Sequence, residues 1–156
     1  MGEHILVAPV TEANAEVRKV YLPEGTWVNL WTKQVYSGDQ TITVDAPMFK
    51  KEGLPMFVKV GGGVAYQPDC LSLYDRVPEE LRVELYADDS ANLTLNEGES
   101  VTNTFRCKKV GDVFEVTAEN NSDVSRKYTV VVYAAGKAFT AAFTVKAGES
   151  KTAVAK

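Results

Sequence analysis

Three residues in one short stretch carry side chains suited to holding a sugar. Within "RKVYLPEGTWVNLW", residues 18–31, Trp27, Asn29 and Trp31 recur at every second position. In an extended strand side chains alternate between faces, so all three are expected to point the same way. Aromatic rings on such a face stack on the C–H side of a pyranose while the amide takes its hydroxyls. The same aromatic surface is strongly stabilising when buried, so a core position and a docked interface are the competing readings.

The second candidate is acidic. Asp88 and Asp89 are adjacent carboxylates in "YADDSANLTLNEGE". Neighbours on a strand project to opposite faces, so this pair converges only in a turn, where its separation is uncontrolled; that argues against acid–base catalysis. Asp88, Asp89 and Asn92, with Glu97 beyond them, also offer the hard oxygens that suit calcium, although their spacing departs from the EF-hand loop. A solvated turn, with the aspartates accepting backbone N–H bonds, is the plainer reading. No residue is assigned as catalytic, and no cofactor is expected.

Other chemistry-bearing residues lead nowhere in particular. Gly61-Gly62-Gly63 lacks the Lys-Ser/Thr that completes a phosphate loop and reads as a turn. His4 is the single histidine, without the partners of a catalytic triad. Cys70 and Cys107 are too far apart for a C-x-x-C pair and read as free, partly buried thiols, with a mutual disulfide as the alternative. Asn92-Leu93-Thr94 and Asn120-Asn121-Ser122 fit the glycan acceptor pattern, which matters only on a eukaryotic secretory route.

The elements that position these residues are strands. Apolar residues recur mostly at every second position and almost nowhere at every third or fourth. "VRKVYL" and "TWVNLW" flank the Pro23-Glu24-Gly25 corner, "QTITVD" alternates after Ser37-Gly38-Asp39, and "LPMFVKV" runs into the glycines. Farther on, "LRVELYA" puts Leu81, Val83 and Leu85 on one face; "KYTVVVYAAG" and "KAFTAAFTVKAG" form a hairpin around Ala135-Gly136-Lys137, and "KTAVAK" reads as an edge strand. The expectation is an all-β chain of two small antiparallel, sandwich-like units joined near residues 68–80, with four to five strands before residue 70 and five to six after it. At 156 residues and 45% hydrophobic content, neither unit needs a metal or a disulfide scaffold. A net charge of −4 supplies no basic field, so nucleic acid is not an expected partner, and no stretch reads as a membrane span. The opening "MGEHILVAPV" lacks a signal-peptide pattern, and localisation stays unassigned.

An ordered series of segments resembles a known family. "ILVAPVTE", "RKVYLPEGTWVNLWT", "GDQTITVDAP" and "LPMFVKVGG" are similar, in order and spacing, to the segment that follows the catalytic barrel in glycoside hydrolase family 31, the α-glucosidases and α-xylosidases. "LRVELYADDSANLTLNEGE" resembles the Tyr-x-Asp-Asp-Gly and Tyr-x-x-Gly-Glu signature of the family's distal C-terminal domain, with Ser90 where glycine is usual. The resemblance implies a proximal β-domain over residues 1–70, its first strand continuing from a barrel absent from this chain, and a distal β-sandwich over 71–156. It also implies that the barrel of the same polypeptide is the partner and holds both catalytic carboxylates, since no Trp-x-Asp-Met motif occurs here. The leading reading is a non-catalytic C-terminal region of an α-glycosidase. The alternatives are a carbohydrate-binding module taking oligosaccharide on an aromatic face and a free-standing adhesion sandwich.

Overall fold

The computed structural model describes residues 4–12, 14–47, 50, 53–68, 78–97 and 101–156. Every regular element among them is a strand. The chain divides into two compact units, Met1–Val60 and Gly61–Lys156.

The first unit holds six strands: β1 (Ile5–Val7), β2 (Val17–Leu22), β3 (Thr26–Asn29), β4 (Val35–Ser37), β5 (Gln40–Asp45) and β6 (Met56–Lys59). They form a four-stranded sheet in the order β1-β6-β3-β4 and a two-stranded sheet of β2 and β5. All pairings are antiparallel. The alternation in "VRKVYL" sends Val20 and Leu22 inward and leaves Val17, Lys19 and Tyr21 exposed. Val20, Leu22, Trp27, Val44 and Phe57 then pack with Ala8 as one core.

The second unit holds β7 (Gly63–Tyr66), β8 (Glu80–Tyr86), β9 (Ser90–Asn96), β10 (Thr102–Val110), β11 (Val113–Glu119), β12 (Arg126–Ala134), β13 (Lys137–Val145) and β14 (Ser150–Ala155). One sheet has the order β13-β12-β8-β7 and the other β14-β11-β10-β9. Their inner faces meet in a core that includes Val83, Leu85, Phe105, Phe114, Val116, Tyr128, Val130 and Phe143. Rings cross between the sheets edge to face, as with Phe105 and Tyr128 at 5.0 Å, the geometry the ring quadrupoles favour. This is a β-sandwich, antiparallel except that β8 and β12 run parallel.

The division between the units falls before the three glycines, because β7 hydrogen-bonds to β8. Gly63 is fixed by that pairing: a Cβ there would lie 2.6 Å from the Glu84 carbonyl oxygen. Among the described residues seven strands precede residue 70 rather than four or five, the additions being β4 and β7, which are only three and four residues long. Strands so short carry no readable alternation.

Candidate functional site

The structure gives Trp27, Asn29 and Trp31 three different tasks. Trp27 is 4% exposed in the first core, and its indole N–H donates to the Pro23 carbonyl at 2.8 Å. Asn29 is 6% exposed, and its Oδ1 accepts the backbone N–H groups of Trp31 at 2.9 Å and Thr32 at 3.0 Å. This side-chain turn ends β3 at Asn29. The shared strand face therefore extends no further than Asn29, a correction to the alternation read from the sequence. Trp31 sits in the turn beyond, half-buried, with its indole N–H donating to the Leu54 carbonyl at 2.8 Å.

Asp88, Asp89 and Asn92 lie in the second unit, all exposed. The aspartates occupy the bend between β8 and β9, and Asn92 is on β9. Backbone bonds hold the bend: the Asp89 carbonyl accepts from Lys109 N–H at 2.7 Å, and Asn92 N–H donates to Gly61 at 2.9 Å. Among the described residues no group of three His, Cys, Asp or Glu side chains is disposed to hold a metal ion.

What the sequence did not reveal is the company Asp88 and Asp89 keep. The β8–β9 bend, the β10–β11 turn and the β12–β13 hairpin meet at one end of the sandwich and enclose a cleft of about 450 Å³. Asp112 and Lys137 join the two aspartates on its rim, and Phe139 forms part of its wall. These residues come from hairpins far apart in sequence, so only their turn positions were readable.

Two further polar clusters lie elsewhere in the unit. Glu84 is 5% exposed and accepts from the Tyr86 hydroxyl at 2.7 Å and from Arg82 Nη2 at 3.0 Å. Burial first, and then the Glu84 carboxylate, push the Tyr66 and Tyr86 hydroxyls well above the ordinary tyrosine range. Arg126 is 1% exposed, and its Nη1 donates to Glu97 Oε2 at 2.5 Å. The same oxygen accepts from Asn103 Nδ2 at 2.6 Å. Asn120 in the second sequon is fully buried, with its amide donating to the carbonyls of Val124, Val145 and Lys146. Cys107 is a buried free thiol that burial pushes up to about 11. Cys70 lies outside the described residues, and with it the question of a disulfide.

Comparison with known proteins shows a sequence likeness to the C-terminal β-domains of glycosidases in the first unit and a likeness of fold along the chain. Residues 1–62 match the glycosyl hydrolase family 31 C-terminal domain. Alpha-glucosidase 2 of Bacillus thermoamyloliquefaciens is 28% identical over 110 residues, which is 64% of this chain and 14% of that protein. Sulfoquinovosidase of Escherichia coli is 44% identical over 50 residues, 32% of this chain and 7% of the relative. Among solved structures, a Flavobacterium johnsoniae GH31 dextranase is similar over 99% of this chain and 26% of its own, with a TM-score of 0.75 and 18% identity. A GH31 alpha-xylosidase from Xanthomonas citri is similar over 97% of this chain and 19% of its own, with a TM-score of 0.72 and 24% identity. The family match thus covers residues 1–62, and the chain spans about one-seventh or less of the curated relatives it matches.

Proposed function

We infer that this chain is the non-catalytic C-terminal β-sandwich region of a family 31 α-glycosidase, an α-glucosidase or α-xylosidase, and that it buttresses the catalytic barrel of the same polypeptide. The observation that carries this reading is one of proportion: nearly the whole chain is matched by about a quarter or less of each family 31 enzyme. In the full-length enzyme, cleavage of an O-glycosyl bond with retention needs two carboxyl groups about 5 Å apart across the scissile bond. Asp88 and Asp89 are exposed on a bend, while Glu84 and Glu97 are bonded to Arg82 and Arg126.

The first unit also has surface to give to a partner. Val17 is 54% exposed, Tyr21 57%, Val35 57% and Leu54 41%, in a unit of some sixty residues. Apolar side chains of this size gain by leaving water, and a docked barrel would supply that burial.

The test has two arms. The open reading frame upstream of Met1 should encode several hundred residues of alternating β and α pattern, and a frame that opens at Met1 contradicts the proposal. The purified 156-residue chain should hydrolyse neither aryl α-glucosides nor aryl α-xylosides; turnover that co-purifies with it also contradicts the proposal.

A further inference from the structure

We propose that the cleft at the turn end of the second sandwich binds a neutral oligosaccharide. Its volume of about 450 Å³ falls in the range of small-molecule sites. Three separate turns contribute: Asp88 and Asp89 come from the β8–β9 bend, Lys109 and Asp112 from the β10–β11 turn, and Lys137 from the β12–β13 hairpin. Phe114 and Phe139 provide the apolar wall, their centroids 5.2 Å apart, with Phe114 1% exposed and Phe139 half-buried. The accessible part of the Phe139 ring, backed by the buried Phe114, is an apolar contact for the C–H groups of a sugar.

The rim selects the class of ligand. Three carboxylates and two ammonium groups surround the opening, and no hydrogen bond or ion pair among the described residues occupies any of these five side chains. A simple cation meets the two lysines, and a simple anion meets the three aspartates, so a net charge gains little here. A neutral polyol gains from both signs: its hydroxyls donate to carboxylates and accept from ammonium groups in the same cleft. The turns carrying these groups turn through left-handed residues, Gly111 at φ 60°, Ala135 at φ 48° and Gly136 at φ 74°. This site is independent of the buttressing role, which concerns the apolar surface of the first unit.

Amide chemical shifts of the whole chain, followed by NMR while maltotriose or isomaltotriose is added, test the proposal. We expect saturable shifts confined to the three turns around Asp89, Asp112 and Lys137. Binding should weaken about tenfold or more in the double variant Asp112→Ala, Lys137→Ala, whose exposed side chains leave the spectrum otherwise unchanged. Four results would each overturn it: no saturable shift with either sugar at tens of millimolar, shifts centred on Trp31 instead, an unaltered affinity in the double variant, or the same shifts from calcium chloride without any from sugar. Failure here leaves the reading-frame and turnover tests of the buttressing role untouched.

Discussion

Trp27 shows how one side chain can read as a ligand platform and function as a wedge. It supplies the largest ring of the first core, beside Phe57 and Leu22, and its single polar atom is satisfied within the chain by Pro23. Removing a buried aromatic of this size costs about 3–5 kcal/mol. Trp27→Ala should therefore lose roughly that much in urea denaturation followed over the first unit's strands, and a loss under 1 kcal/mol would remove Trp27 from the core in solution. Cys107 makes a second, pH-dependent prediction. Burial raises its thiol to about 11 in the folded chain, whereas in the unfolded chain it ionises near about 8.5. A raised folded value means that the stabilisation is complete below the unfolded pKa and is lost as pH rises through the folded one. Stability should fall between about pH 8.5 and 11 by on the order of 3 kcal/mol, and Cys107→Ala should flatten that slope. Tyr66 and Tyr86 shift in the same direction but from the ordinary tyrosine value of 10.0, so the slope's lower half belongs to the thiol.

At the scale of elements, glycines separate two kinds of constraint. Gly38 follows β4, and its N–H donates to the Gly25 carbonyl at 2.6 Å; a Cβ there would lie 1.9 Å from the Pro23 carbonyl oxygen. That obstacle is backbone and cannot rotate away. Gly136 faces open space but holds φ 74° in the β12–β13 turn. Gly38→Ala should cost about 2–3 kcal/mol through overpacking, and Gly136→Ala about 1–2 kcal/mol through backbone strain alone. Equal losses at the two positions, measured by thermal unfolding, would show that the Gly25–Gly38 contact is looser than the structure has it. These elements were unevenly legible in the sequence. The hairpin at Ala135-Gly136 and the inward faces of β8 and β13 follow from period-two patterning. The end of β3 does not, because it depends on one amide, Asn29, closing on two backbone groups. The parallel contact of β8 with β12 joins residues more than forty apart, such as Leu81 and Tyr128, and no local pattern announces it. For the same reason Asp88 and Asp89 were readable as a turn, while Asp112, Lys137 and Phe139, which complete their cleft, were not.

At the scale of the whole chain, the two units differ in how much core they own. Among the described residues the first unit's cluster has six buried members, built around Leu22, Trp27 and Phe57. The second has seventeen, drawn from both sheets of the sandwich. Each fully buried large apolar side chain contributes about 1.5–3 kcal/mol, so a difference of this size outweighs the cost of any single turn. Local opening free energies should follow the same order. Native-state hydrogen exchange is expected to find the slowest amides in β8, β10, β11 and β12, the inner strands of the second unit's two sheets, and faster exchange throughout β2 and β5, whose sheet has only two strands. Val20 and Ile42, opposite one another in that small sheet, are the pair to watch. If their amides exchange as slowly as that of Val130, the first unit draws on stabilisation beyond its own six-residue core.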